Sequence, residues 1–236
     1  MFGRLSQYRS IHDFVDTLDM PNAVVNAVGE QPLGRYNLPP TESAALIHQV
    51  GETLQVQDVR WGWRPDWATG SRLVAYALAE NVASMTFWRQ IWPCRAIVPI
   101  DGWFEWLPDP DDPQHEQPYM IRRKDKAPIL CAAIGEFPHA CEGPRANDGF
   151  VILTSRSQAL AGVHDRSLVV LDAEQASEWL DPATSPQRAE QMLRQVGSDG
   201  DPFEWFKVSK RVKYGDNSPK LIEPLPDDPD ATHEQE

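Results

Sequence analysis

The sequence predicts an α+β fold: a mainly antiparallel sheet or barrel core with a few peripheral helices. Strand-like runs outnumber helix-like ones. The two do not alternate regularly, which argues against a doubly wound parallel sheet. No internal repeat is visible. The chain has 236 residues, 41% of them hydrophobic, including 9 Trp. That suits one domain over residues 1–225, with an acidic tail over 226–236 that is expected to be disordered.

In chain order, Ile11, Phe14, Val15 and Leu18 share one face of a short helix, with Ser10 as its N-cap. Gly34 to Pro40 reads as a rigid loop. A strand over 44–49 turns at Gly51-Glu52 into a second over 53–63, where Leu54, Val56 and Val59 are apolar. Residues 64–72 form a loop, and 73–92 have mixed helical character. Ala96 to Ile100 is a continuous apolar run, hence a buried strand. Residues 107–117 are acidic and proline-rich, a solvated hairpin loop. Strands are predicted over 118–123 and 129–135, then a polar loop over 138–148. A strand over 150–154 and a brief turn or helix over 158–163 precede another strand over 167–171. Asp172 caps a helix over 173–180, and Pro186 opens one over 186–196. Late strands are predicted over 203–208 and 220–222.

Composition excludes several classes. No apolar run approaches the roughly 20 residues of a membrane span. The first residues have no signal-peptide layout, so a cytoplasmic location is expected. Cys94, Cys131 and Cys141 have no disulfide-framework or zinc spacing and are expected to be small buried hydrophobes; no metal or cofactor is implied. There is no Ser–His–Asp set. The formal net charge is −13, which opposes nucleic-acid binding. Nine acids, however, lie in 108–116 and 226–236. The rest of the chain carries 22 basic against 26 acidic residues, a net of −4. A local basic groove is compatible with that balance.

The hexapeptide Asp101-Gly102-Trp103-Phe104-Glu105-Trp106 carries the most chemistry. Alternation puts Trp103 and Glu105 on one face and Phe104 and Trp106 on the other. A carboxylate held against aromatic surface loses hydration, and its pKa rises. Such a group exchanges protons near neutral pH. The plainer alternative is an aromatic core strand whose Glu105 reaches solvent or an arginine.

Further pieces fall in line with it: Gly3-Arg4, Gly34-Arg35-Tyr36-Asn37-x-x-Pro40, Trp61-Gly62-Trp63, His164-Asp165-Arg166 and Leu221-Ile222-Glu223-Pro224. In this order and spacing they resemble the SRAP family (SOS-response-associated peptidases, abasic-site processing proteins). The resemblance runs from residue 1 to about 225. It implies single-stranded DNA carrying an abasic site as partner. It also implies a cysteine after the initiator Met, whose thiol and α-amine trap the sugar aldehyde as a thiazolidine. Glu105 and His164 would then move protons, and the family's proposed self-processing concerns its own N-terminus.

The chain departs from that pattern at three places. Position 2 is Phe2, so the sulfur nucleophile is missing, and a bulky second residue opposes removal of Met1. The family's Asn-Ala-Arg-x-Glu reads here Tyr76-Ala77-Leu78-Ala79-Glu80. Leu78 cannot grip a phosphate as an arginine does. Ser167-Leu168 stand where the family has a proline. Glu105 and His164 are therefore the candidate catalytic residues of a site whose nucleophile position holds Phe2, which most simply plugs the pocket. Arg4, Arg35, Asn37, Pro40, Trp63, Trp67 and Arg166 are the candidate DNA contacts. Each has a structural alternative: ion pairs for the arginines, an Asx turn for Asn37, core or lid for the tryptophans.

Three functions are compatible with these residues. The first is a binder of single-stranded or abasic DNA in the damage (SOS) response, a pseudoenzyme without thiazolidine chemistry. The second is a residual abasic-site lyase using the Met1 α-amine. The third is an interaction protein on the same scaffold that no longer binds DNA.

Overall fold

Apolar residues in this chain come in runs that need cover on both sides, and two stacked sheets supply it. The computed structural model describes residues 3–18, 20, 24–26, 31–51, 53–68, 70–109, 112, 114–137, 145–156, 165–195 and 202–225. Their strands are β1 (Arg4–Gln7), β2 (Val24–Asn26), β3 (Arg35–Leu38), β4 (Ser43–Val50), β5 (Thr53–Arg60), β6 (Tyr76–Leu78) and β7 (Arg95–Ile100). Then come β8 (Gly102–Pro108), β9 (Glu116–Arg123), β10 (Ile129–Glu136), β11 (Gly149–Arg156), β12 (Arg166–Leu168), β13 (Val170–Leu171) and β14 (Phe203–Lys207). The helices are α1 (Ile11–Val15), α2 (Ala173–Leu180) and α3 (Pro186–Gln195).

One antiparallel sheet has the order β14-β9-β8-β1-β3. The other runs β12-β11-β10-β7-β4-β5-β2, with β13 on β10 and β6 parallel to β11. Both are open sheets, so the α+β reading holds and of "sheet or barrel" it is the sheet. Between them lie Leu5, Leu38, Trp103 and Ile121 from the first and Leu46, Val98, Ala133 and Ile152 from the second. The far face of the larger sheet is covered by the helices, through Ile11, Trp179, Leu180, Met192 and Leu193. The far face of the smaller sheet packs Phe104, Met120 and Phe206 against Val212 and Leu221. Double cover explains why Ile129 to Gly135 is buried without a break.

Local chemistry fixes several ends. Ser10 and Asp13 form a reciprocal capping box on α1, and Asp172 and Gln175 form another on α2. At Gly102 a Cβ would stand 2.3 Å from Met120 Cε and 2.4 Å from the Ile121 carbonyl, so only glycine lets β8 and β9 approach there.

The structure corrects four expectations. Residues 73–92 are not a helix: β6 pairs with β11, and single turns come after it, closed by Val82 N–H to Leu78 O and Trp92 N–H to Trp88 O. These turns deliver Val82, Trp88 and Trp92 to the core at helical spacing, which is what the pattern registers. Residues 220–222 belong to a 3-10 turn, Pro219–Ile222, started by Pro219 behind the Ser218 cap. Part of the rigid loop 34–40 is the strand β3, and β1 has no counterpart in the sequence pattern. The expected elements at 158–163 and 226–236 lie outside the described residues.

β1 ties the sheets together. Gln7 is fully buried. Its Nε2 donates to the carbonyls of Ala45 (2.9 Å) and Pro99 (2.7 Å), and its Oε1 accepts from Ala45 N–H at 3.0 Å. A strand of the smaller sheet thus hydrogen-bonds β4 and β7 of the larger. Replacing Gln7 with Ala leaves one backbone donor and two acceptors unmet in the core. Denaturant unfolding is expected to show a loss of about 3 kcal/mol; a loss below about 1 kcal/mol would mean the clamp is dispensable.

Candidate functional site

The first residue of the hexapeptide positions the end of β1 and the two residues beyond it. Asp101 is 4% exposed. Its carboxylate accepts from Tyr8 N–H at 2.6 Å and from the backbone and side chain of Arg9. Burial still pushes its pKa up, against the hydrogen bonds from Tyr8 and Arg9 that pull it down. Asp101 N–H donates in turn to Ser6 O at 2.7 Å. With the chain held there, β1 pairs with β8 in the register Arg4↔Phe104, Leu5↔Trp103 and Ser6↔Gly102. Gly3 then comes beside the hexapeptide, close to the Trp106 ring. Met1, Phe2 and His164 lie outside the described residues.

Alternation in β8 is as the sequence implies. Trp103 packs between the sheets, while Phe104 and Trp106 face the outer cluster. Glu105 is 2% exposed. Its Oε1 has no hydrogen-bond partner among the described residues. Desolvation pushes its pKa up to about 7. Across from it, burial and then the Glu105 charge push the Tyr76 phenol well above its ordinary value. Tyr76 lies on β6 of the larger sheet, edge-on to Trp61 at 5.5 Å. The site is therefore assembled between the sheets, Glu105 from one and Tyr76 from the other. Tyr76 is a buried neighbour of Glu105 that sequence reasoning treats only as a loss.

The other candidates separate into held and open groups. Asn37 is buried; its Nδ2 donates to the carbonyls of Val212 (3.0 Å) and Asp216 (2.7 Å). It anchors the Lys210–Tyr214 turn to β3. Arg35 makes a two-pronged ion pair with Asp58, at 2.8 and 2.7 Å. Arg166 donates to Glu80 at 2.9 Å and to the Thr154 carbonyl at 2.8 Å. Burial raises the Glu80 pKa, but the Arg166 hydrogen bond and the backbone donors outweigh it and the net shift is downward. Pro40 precedes Thr41, a non-glycine residue at φ 79°, whose N–H donates to Trp61 O. Trp63 is fully buried and donates to Glu136 at 3.3 Å, so it is core and not a surface for bases. Trp67 is 72% exposed and rests edge-on against Phe87. Arg4 reaches only the Lys213 carbonyl, at 3.5 Å, and makes no ion pair among the described residues. Leu78 is 41% exposed. Cys131 is buried as expected, Cys94 is exposed against expectation, and Cys141 lies outside the described residues.

The SOS response associated peptidase model matches residues 1–214. The chain belongs to the SRAP family. It is 33% identical over 228 residues to abasic site processing protein YedK of Escherichia coli K12, covering 95% of this chain and 100% of that one. It is 28% identical over 229 residues to abasic site processing protein YoqW of Bacillus subtilis 168, covering 94% and 99%. Among solved structures it resembles a phage-related protein from Bordetella bronchiseptica, with 32% identity, a TM-score of 0.71, and coverage of 88% and 94%. A Bacteroides thetaiotaomicron protein shares the fold at 18% identity, with a TM-score of 0.73 and coverage of 95% and 100%.

In this SRAP chain the raised Glu105 pKa links protonation to stability. Below pH 4.5 the carboxyl is protonated folded or unfolded. Between the ordinary value of 4.5 and the folded value of about 7 the unfolded chain loses the proton first, so stability falls as pH rises. Glu105→Gln stays neutral throughout. Denaturation at pH 5 and pH 8 is expected to show the variant gaining on the wild type by on the order of 3 kcal/mol over that interval. An equal difference at both pH values would mean that Glu105 is not held protonated by burial.

Proposed function

We propose that this SRAP protein binds single-stranded DNA at abasic sites, in the cytoplasm and in the damage response, without forming the thiazolidine cross-link. The observation that carries the reading is the pairing of an intact, buried Glu105 with Phe2 at the nucleophile position. The proton-handling half of the site remains, and the second residue offers no thiol to it. Binding is supported by Arg4, whose guanidinium is open to a phosphate, and by Trp67, whose ring is open to a base. It is weakened by Leu78, where the family pattern has an arginine. Arg35 and Arg166 must leave or share a carboxylate before they meet a phosphate. Asn37 and Pro40 act by shaping the strand and loop beside the site.

A second reading is favoured by the Glu105 pKa of about 7. A pure binder has no use for a carboxyl tuned to neutral pH. The Met1 α-amine, if free, would add to the ring-opened aldehyde and lose water to give an imine, with Glu105 and His164 exchanging the protons. Borohydride would reduce that C=N bond and make the link permanent.

The test is a denaturing gel of the untagged protein with a single-stranded oligonucleotide carrying one abasic site. The wild type is expected to bind but give no covalent band without borohydride. Phe2→Cys is expected to give one once Met1 is trimmed, which mass spectrometry checks. A stable wild-type adduct without reductant would overturn the pseudoenzyme reading. A wild-type band only with borohydride would establish the lyase.

Leu78→Arg isolates the lost phosphate contact. The side chain is already partly exposed, so the substitution is tolerated. Affinity for single-stranded DNA in low salt is expected to rise roughly five- to tenfold, with a steeper salt dependence by about one charge. Unchanged affinity would place the strand elsewhere on the surface.

A further inference from the structure

The sequence Lys210-Arg211-Val212-Lys213-Tyr214 forms a 3-10 turn after β14. Val212 is buried and pins the turn to the outer cluster, with its carbonyl held by Asn37. The remaining four side chains face outward. Tyr214 is 82% exposed, more than any other large apolar residue described. The turn closes one wall of a cleft of about 310 Å³, lined also by Trp106, His115, Glu116 and Pro118. A second cleft of about 300 Å³ shares Trp106, Glu116 and Lys213 with it and reaches Arg4 and Glu105. The two make one trough, running from the strand that carries Glu105 to the tip of the turn.

Its chemistry is that of a nucleotide tract. Aromatic rings (Trp106 and Tyr214) offer faces to bases, and Arg4, Lys210 and Lys213 offer charge to phosphates. The turn's cations are not free. Lys210 contacts Asp109 at 2.7 Å, Lys213 contacts Glu116 at 3.6 Å, and Arg211 contacts Asp216 at 2.7 Å. Lys213 and Glu116 are each more than half exposed, so a phosphate can displace that carboxylate at little cost.

We propose that this trough holds the nucleotides on one flank of the abasic site, with Tyr214 stacking a base, Lys213 meeting a phosphate and Glu116 competing with that phosphate. The proposal rests on the DNA-binding reading above and extends it from Arg4 and the Glu105 strand to the Lys210–Tyr214 turn. Glu116 sets the sign of the charge effect: removing it should strengthen binding, whereas removing a merely structural acid would do nothing or harm.

The experiment is fluorescence polarisation with labelled single-stranded oligonucleotides holding one abasic site, with flanks on both sides, on the 5′ side only or on the 3′ side only. Wild type, Tyr214→Ala, Lys213→Ala, Glu116→Gln and Arg4→Ala are compared in low salt, with circular dichroism confirming the fold. Tyr214→Ala is expected to weaken binding about tenfold, as loss of one stacked base does. That loss should vanish on one of the two single-flank oligonucleotides and persist on the other. Glu116→Gln is expected to tighten binding about two- to threefold. If the wild type binds and Arg4→Ala weakens it while Tyr214→Ala and Glu116→Gln change nothing, the part of the trough beyond Arg4 is not on the path, the flank assignment is overturned and the DNA-binding reading stands. If the wild type binds none of the oligonucleotides, that reading fails and the trough assignment falls with it.

Discussion

The junction of β1 with the larger sheet is the constraint on which the site depends. Gln7 satisfies three backbone groups of β4 and β7, and Asp101 satisfies two backbone N–H groups and a guanidinium just beyond. Each is a buried polar side chain whose carboxylate or amide is fully engaged. Such groups add little net stability but strongly disfavour alternatives that would leave them unpaired. The register of β1 on β8 is fixed by them, because a one-residue slip would turn Gln7 out of the core. That register brings Gly3 beside Trp106 and puts Arg4 at the head of the trough. An N-terminus is ordinarily the least constrained part of a chain. Here it is tied down from residue 4 onward.

Glu105 shows the complementary case. It is as buried as Asp101, yet one oxygen has no partner among the described residues. Burial is what lifts its pKa to about 7. Two of the candidate arginines are engaged elsewhere: Arg166 with Glu80 and Thr154, Arg35 with Asp58. Tyr76 sets a phenol near the carboxyl and a ring against Trp61. The pocket thus joins a low dielectric to an acid.

The features a sequence conveys and those it hides divide along physical lines. Strands with both faces covered read as continuous apolar runs, and Ala96–Ile100 and 129–135 are legible on that signal. The alternation of Trp103 and Glu105 against Phe104 and Trp106 is also readable. β1 is not, since Arg4-Leu5-Ser6-Gln7 buries a serine and a glutamine, and the glutamine is held by long-range hydrogen bonds that no local pattern encodes. Residues 73–92 mislead because successive tight turns place apolar residues three and four apart, as a helix does. Trp63 and Trp67 have the same sequence signature, yet one is core and one is exposed; only the packing of Phe87 and Trp88 tells them apart. The Lys210–Tyr214 run belongs to no motif or element read from the sequence. Only the fold shows that Val212 alone turns inward and leaves the other four to the surface.

The charge of the chain then takes on a mechanical meaning. A net of −13 would repel DNA if it were spread evenly. Nine of the acids lie in 108–116 and 226–236, and several carboxylates are held by specific cations: Asp58 by Arg35, Glu80 by Arg166, Asp109 and Glu116 by Lys210 and Lys213. Exposed pairs of this kind hold by about 1 kcal/mol or less. A strand that supplies several phosphates at once can displace them together, whereas a single anion cannot. Binding would then require a run of phosphates aligned with the trough and would be lost steeply with salt. The same carboxylates that argue against nucleic acid in the composition would act as a filter against short or misplaced anions. They leave Arg4, the one candidate arginine without an acidic partner among the described residues, as the point where a strand would first take hold.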